Sequence, residues 1–392
     1  MNSTIRDKYL PYCLPNITDA EINEVVDTLK SGWLAKGPRT IEFEKRFADY
    51  VGAKYAIGMN SCTAALHIAL LAAGIGPGDE VVTTPMTFAA SANTIIHTGA
   101  TPVFVDIDLF TGCIDPDEIE KKITSRTRAI VPVHYAGQAC DLDRIYEIAD
   151  KHNLFVSEDA AHAIYTRYKG NMIGHKPKGA VSYSFYATKN LATGEGGMLV
   201  TDDEKIANRA RMLVTHGMST NAWGRYAKGG SWRYDIEEPG YKYNMFDLQA
   251  ALGLIQLKRL EDMQTKREKI AARYNEAFSQ NDALEIPAVA TYTTQHCWHL
   301  YVIKLNIDKL TINRDKFIEE LNARNIGTSV HFIPVHLMSA YKDRFGYKEG
   351  DFPKSEEFFE RIISLPLYST MSDQDAEDVI CAVLDIVEKN HD

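Results

Sequence analysis

Three short stretches carry residue types that could do chemistry together. The first is Ser184-Phe185-Tyr186-Ala187-Thr188-Lys189-Asn190-Leu191-Ala192-Thr193-Gly194-Glu195-Gly196-Gly197, an apolar strand pattern that runs into one lysine and then a glycine-rich turn. A lysine amine is a poor nucleophile at its free pKa and becomes a Schiff-base former when desolvation or a neighbouring cation lowers that pKa. The second is Leu154-Phe155-Val156-Ser157-Glu158-Asp159, a strand pattern that ends in a carboxylate and is followed by Ala160-Ala161-His162. The third is Asn60-Ser61-Cys62-Thr63, which opens an apolar helix pattern after Tyr55-Ala56-Ile57-Gly58-Met59. Backbone N–H groups and hydroxyls at such a helix start favour an anion. Each stretch also has a plain structural explanation. Lys189 could be a strand-end lysine reaching to water, and Asp159 a helix N-cap.

Together the three supply what pyridoxal phosphate needs: an amine for its carbonyl carbon, a carboxylate for its ring nitrogen and a helix start for its phosphate. On Glu158-Asp159-Ala160-Ala161-His162, and on Thr188-Lys189-Asn190 followed by Gly194-Glu195-Gly196-Gly197, the chain resembles the sugar aminotransferases of the DegT/DnrJ/EryC1/StrS type. The resemblance runs from Ser31-Gly32-Trp33 to Leu365-Pro366-Leu367. It implies an α/β chain of the pyridoxal-phosphate fold type I, with a large cofactor-binding domain over residues 1–250 and a smaller C-terminal domain over 251–392.

The resemblance also implies roles for particular residues. Lys189 carries the cofactor and moves a proton; Asp159 keeps the ring nitrogen protonated; Ser61, Thr63 and Ser184 hold the phosphate, with Cys62 contributing backbone only. Phe88, in Pro85-Met86-Thr87-Phe88, stacks on the ring, or is a core phenylalanine at a helix start. His162 contacts the ring or its phenolic oxygen, or is a satisfied core histidine. Asn244, in Gly240-Tyr241-Lys242-Tyr243-Asn244-Met245, reaches the phosphate of a neighbouring subunit, which implies a homodimer with shared sites. Trp33 and His331 match substrate-side positions, against a packed tryptophan in a helix-to-helix turn and a plain strand histidine. Tyr186 stands where the family often has histidine.

The activity implied is transfer of an amino group from glutamate, with 2-oxoglutarate as its product, to a nucleotide-linked keto-sugar for surface polysaccharide or glycan synthesis. Ile130-Val131-Pro132-Val133-His134-Tyr135-Ala136-Gly137 and Gly240-Tyr241-Lys242-Tyr243-Asn244 look most like the members that aminate carbon 4 of UDP-linked sugars. Two other readings compete: a lyase or dehydratase on the same fold, and a non-catalytic cofactor-binding regulator. Family dehydratases replace the lysine with histidine, and a regulator needs no acid–base lysine, so Lys189 weighs against both.

These residues need elements to hold them. From residue 54 short β-branched runs alternate with helical stretches: 55–59, helix 63–73, 81–84, helix 88–98, 102–105, helix 116–123, 129–134, helix 141–152 and 155–158. That alternation predicts parallel βαβ units, and ligands of such sheets sit beyond the carboxyl ends of the strands, where Asn60, Asp159 and Lys189 fall. Before it, Thr18-Asp19-Ala20-Glu21 is a capping box that predicts a helix with Ile22, Val25, Val26 and Leu29 on one face. After it come a helix over 203–213 and a polar, aromatic loop from His216 to Glu238. The loop's Arg225, Lys228 and Arg233 suit a diphosphate, or are merely solvated. A helix over 246–277 then leads to strands near 299–306 and 328–332 and helices near 313–324 and 372–389.

The formal net charge of −10 disfavours nucleic acid and anionic membrane as partners. The 6 cysteines form no CxxC pair, so neither a disulfide framework nor a metal site is expected, and a reducing cytoplasm fits. The N-terminal stretch lacks a signal-type apolar core, and the longest apolar candidate, 64–73, is too short for a membrane span.

Overall fold

The computed structural model describes residues 5–219 and 234–391. In chain order its first strands are β1 (Tyr55–Met59), β2 (Glu80–Thr83), β3 (Thr101–Phe104), β4 (Thr127–Val131) and β5 (Phe155–Asp159). A short hairpin of β6 (Arg167–Tyr168) and β7 (Asn171–Met172) precedes β8 (Ala180–Ser184) and β9 (Gly197–Thr201). Seven of these form one sheet in the order β1-β9-β8-β5-β4-β2-β3. β2, β3, β4, β5 and β8 are parallel, while β9 runs antiparallel to both β8 and β1. Strands β2, β8 and β9 are buried along their whole length, as strands of a sheet covered on both faces must be.

Helices α1 (Asp19–Ser31) and α2 (Pro38–Val51) precede the sheet, and α3 (Cys62–Ala72), α4 (Ala89–His97), α5 (Pro116–Lys122), α6 (Leu142–His152) and α7 (Glu204–Leu213) cross between or after its strands. Phe43 and Phe47 of α2 interlock with Tyr183 and Phe185, their ring centroids 5.1–6.0 Å apart. The long helix α8 (Asp247–Phe278) lies close to α2 because Gly253 has no side chain; a Cβ there would sit 2.6 Å from the Phe43 ring.

A second core gathers Tyr274 and Phe278 of α8 with β12 (Tyr301–Leu305), α9 (Arg314–Ala323) and α12 (Asp373–Asn390), and Leu10 from the start of the chain. Its sheet has the order β10-β12-β13, with β10 at Leu284–Glu285 and β13 at Ile362–Leu365; β11 (Thr293–Gln295) pairs with β6 instead. α10 (Ser339–Phe345) and α11 (Pro353–Arg361) fill the stretch before β13. α8 serves both cores, Ala250, Leu254, Leu260 and Met263 facing the first and Ile270, Ala271, Tyr274 and Phe278 the second. Position 250 falls in its first turn.

Several expectations change. The capping box at Thr18 and Glu21 forms, but Ile22, Val26 and Leu29 are exposed in the chain, and α1 instead buries Glu21 and Thr28. Glu21 is held by the Arg259 guanidinium and by the Gln256 amide at 2.8 Å, so a polar network outcompetes the apolar stripe. No strand forms at 328–332; Ser329 makes one isolated bridge to Ser364, and the strand beside β12 is β13. β13 follows α11 without a glycine or proline break, which hides it from pattern reading. The glycine-rich turn after Lys189 continues directly into β9.

Candidate active site

Asp159 ends β5 at the carboxyl edge of the sheet, its N–H bonded to the Pro132 carbonyl at 2.8 Å and its own carbonyl accepting from His134 N–H at 3.0 Å. The carboxylate is 5% exposed. Its Oδ2 accepts from the Ser91 hydroxyl at 2.7 Å and its Oδ1 from Ala161 N–H at 3.0 Å. No helix follows, so the N-cap explanation does not hold. Burial pushes its pKa up; Ser91, Ala161 and then Lys189 pull the other way. Among the described residues it forms no ion pair closer than 4 Å, so a buried anion lacks a close cation.

Lys189 does not stand at a strand end. β8 stops at Ser184, and Lys189 sits in the turn of the β8–β9 connection, its N–H bonded to the Tyr186 carbonyl at 2.9 Å. The connection is held as a narrow loop by Phe185 N–H to Gly196 at 2.9 Å and Thr193 N–H to Phe185 at 2.8 Å. Burial lowers the Lys189 pKa to about 8, against the opposing charges of Cys62 and Asp159. Its Nζ lies 3.3 Å from His299 Nε2.

The third stretch meets the other two as expected. Ser61 caps α3 by accepting from Ala64 N–H at 3.1 Å, which leaves the N–H groups of Cys62 and Thr63 free of the intrahelical ladder. The Cys62 side chain turns into the core, and Thr63 is exposed. β9 can pass this helix start only because residue 197 is glycine: a Cβ there would lie 2.4 Å from the Ser61 carbonyl carbon. Ser184 is opposite Gly197 in the β8–β9 register, which brings it to the same place. Asn244 bridges Met59 on the edge strand β1, with its amide donating to the Met245 carbonyl at 3.0 Å and its Oδ1 buried without a partner. A hollow in front of the helix start is lined by Asn60, Ser61, Thr193, Glu195, Phe246 and Gln249.

Phe88 precedes α4 and is 64% exposed, so it is not a core phenylalanine. Its ring lies 6.0 Å from Phe332, which stacks on His162 at 5.7 Å. His162 is buried, and its Nδ1 accepts from Ala136 N–H at 3.3 Å. His331 joins this group from a loop rather than a strand, 6.3 Å from His162, with Nδ1 2.8 Å from the Ser364 hydroxyl. Burial first, and Lys189 second, lower both pKa values, His331 to about 4. Trp33 is exposed on the turn between α1 and α2, which is anchored to the start of α8 because Asp247 accepts from Gly37 N–H at 2.7 Å. Tyr186 is exposed beside Lys189. Arg225, Lys228 and Arg233 lie outside the described residues.

Sequence reasoning missed three residues of this site. His299 touches Lys189 from the loop before β12, Asn190 holds His299, and Ser91 holds Asp159. Asn190 lies inside the lysine stretch, where only the contact with His299 reveals its part; His299 and Ser91 reach the site only through tertiary contacts.

The residues fit pyridoxal phosphate on this structure's own terms. Asp159 is a buried carboxylate bonded to neutral donors only, the partner a protonated ring nitrogen requires, and a lysine of lowered pKa accompanies a helix start whose first N–H groups are free to meet an anion. This fold and site define a pyridoxal-phosphate-dependent aminotransferase of fold type I. Residues 15–384 match the model of the DegT/DnrJ/EryC1/StrS aminotransferase family, and the chain belongs to that family. It is 59% identical over 383 residues to a Bacillus subtilis spore coat polysaccharide biosynthesis protein, covering 97% of this chain and 98% of the relative. A putative sugar aminotransferase from Streptococcus pneumoniae, solved in a PMP form, superposes with a TM-score of 0.91 at 37% identity over 97% of this chain and 99% of that one. A Helicobacter pylori aminotransferase involved in pseudoaminic acid biosynthesis superposes with a TM-score of 0.89 at 29% identity, covering 97% and 100%. No helix among the described residues is long and apolar enough to cross a membrane.

Proposed function

We propose that the chain moves an amino group from glutamate to the keto carbon of a nucleotide-linked sugar, with a UDP-linked 4-keto sugar as the substrate class, for the synthesis of a surface polysaccharide or glycan. The observation that carries it is Lys189, a buried amine whose pKa burial lowers to about 8 and on which the Asp159 carboxylate acts from beyond ion-pair distance. The named roles of the Bacillus and Helicobacter relatives support the sugar and its destination. When bound, pyridoxal phosphate supplies an electron sink beside the carbon that loses its proton. The Asp159 carboxylate would hold the ring nitrogen protonated. Ser61, Ser184 and the N–H groups of Cys62 and Thr63 would hold the phosphate, and Phe88 and His162 would contact the ring. Lys189 Nζ, substantially unprotonated around pH 8, takes and returns a proton.

On the same footing we place Trp33, Arg225 and His331 on the substrate side, and Asn244 on the phosphate of a partner subunit in a homodimer. Residues 1–250 form the cofactor-binding part and 251–392 the smaller part of a cytoplasmic enzyme. The test is incubation with glutamate and a panel of nucleotide-linked keto-sugars, with products read by mass spectrometry and the cofactor fixed by borohydride. An amino-sugar product, a cofactor adduct on Lys189 and no product from Lys189→Ala are expected; an adduct elsewhere, or loss of water in place of amino transfer, would overturn the reading.

A further inference from the structure

The Lys189 amine is held by one side chain that the family resemblance did not point to. His299 lies in the loop that leads into β12, its Nε2 3.3 Å from Lys189 Nζ and its ring centroid 4.4 Å from that of His162. Donor and acceptor roles along this contact follow from the far end inward. The Asn190 amide nitrogen is 2.7 Å from the Cys297 carbonyl, which can only accept, so this nitrogen donates and Asn190 Oδ1 is the acceptor left over. Asn190 Oδ1 is 3.1 Å from His299 Nδ1, so the His299 proton sits on Nδ1. The lone pair of Nε2 then faces Lys189, and the lysine donates. The backbone of the histidine is clamped as well, by Arg267 Nη1 at 3.1 Å from the Trp298 carbonyl, 3.4 Å from that of His299 and 2.8 Å from that of Leu367.

We infer that His299, fixed in its Nδ1–H form by Asn190, is the residue that positions the free amine of Lys189, accepting one of its N–H groups so that the amine's lone pair stays available for the proton it must take. The inference rests on the aminotransferase reading for its use, but the contact itself does not. Burial pushes the His299 pKa well below its ordinary value, with the nearby Lys189 charge adding to this, so the lone pair remains at working pH. The other titratable groups facing the amine are Asp159 from β5, Cys62 from α3, Cys13 from the N-terminal segment and Cys297 from the loop before β12. His162 and His331 add lesser influence from the ring cluster.

An acceptor stabilises the ammonium more than the amine, so removing it should lower the lysine pKa further. The experiment measures the pH midpoint of Lys189 labelling by an amine-reactive reagent in cofactor-free protein, read by peptide mass spectrometry. Wild type should show a midpoint near 8. His299→Phe should lower it by about one to two pH units, the size expected for a buried hydrogen bond to a charged group. His299→Gln, which keeps an acceptor, should stay within about half a unit of wild type, and Asn190→Leu, which frees the other tautomer, should fall between. In loaded enzyme, His299→Phe should slow the half-reaction with the amino donor about 100-fold while borohydride still fixes the cofactor on Lys189. An unchanged or raised midpoint in His299→Phe overturns the inference, and so does an unchanged midpoint in Asn190→Leu if the phenylalanine variant does not fold. If the midpoints shift as stated but wild type transfers no amino group, the functional reading falls and this one stands.

Discussion

Glu158 and Asp159 are neighbouring carboxylates on β5, almost equally buried at 2% and 5% exposure, yet they belong to two different regions. Successive side chains on a strand point to opposite faces. On the Glu158 face the carboxylate is closed in by fixed donors: His134 Nε2 at 2.9 Å and the Tyr146 hydroxyl. The His134 ring is set by Cys140 N–H, 3.1 Å from Nδ1, so its proton is on Nε2 and directed at the carboxylate. On the Asp159 face the donors are a serine hydroxyl and one backbone N–H, with no ion-pair partner within 4 Å among the described residues, and burial raises the pKa. A buried acid whose hydrogen bonds are complete is structural. One that lacks a counter-charge is costly for the empty protein, and a cationic ring bound there, as proposed, would offset that cost.

The largest expected effect separates the two faces directly. Asp159→Asn should leave the cofactor bound and slow the half-reaction with the amino donor about 1,000-fold, because a neutral amide no longer favours the protonated ring. Glu158→Gln should keep turnover per folded molecule within about threefold of wild type. Stopped-flow spectra of both variants decide; equal losses would erase the distinction.

A somewhat smaller effect tests the electrostatics of the Asp159 face in the empty protein. Lys189 has its pKa lowered from 10.5 to about 8, so the unfolded chain binds a proton that the folded chain releases, and stability rises with pH across that window. Lys189→Met should therefore stabilise cofactor-free protein below pH 8, by up to about 3 kcal/mol, with the gain shrinking towards pH 10.5. Asp159 has the opposite kind of shift. Its contribution is present below the ordinary value of 3.8 and is lost as pH rises through the raised folded value, so Asp159→Asn should stabilise the empty protein above that range. Chemical denaturation across pH, with and without cofactor, measures both, and a variant less stable than wild type at pH 7 would contradict them.

On the Glu158 face the readout is stability alone. Glu158→Gln should cost about 2 kcal/mol, since the amide cannot accept from both donors as the carboxylate does, and Tyr146→Phe about 1 kcal/mol. The smallest effect belongs to Ser91→Ala, which removes one donor from Asp159 Oδ2 and should slow the half-reaction by about tenfold or less, with the loss growing as pH falls towards the raised Asp159 pKa. A flat pH profile in that variant would detach Ser91 from the carboxylate.

Much of this site was legible along the chain. Asp159, Lys189 and Ser61 each ended or followed a local pattern, and in a parallel sheet strand ends share one edge, so reading the elements already brought the residues together. The capping box at Thr18 was legible for the same reason, being an interaction across three residues.

What depended on distant residues was not legible. The apolar stripe of α1 predicts a buried face, but Arg259 and Gln256, more than 200 positions away, draw Glu21 inward instead. His331 reads as a strand residue until β13 takes the place beside β12. The amine of Lys189 announces covalent chemistry by its type and neighbours, but that it is buried, held near pH 8 and aimed at His299 follows from how the β8–β9 loop meets the loop before β12. By itself the sequence determined the alternating elements, the edge on which they end and the residue types placed there, because propensity, capping and periodicity act over a few residues. Only the tertiary structure decided which carboxylate is sealed and which is left wanting a cation, because desolvation and hydrogen-bond partners are set by whatever packs against a group, however far away it lies in the chain.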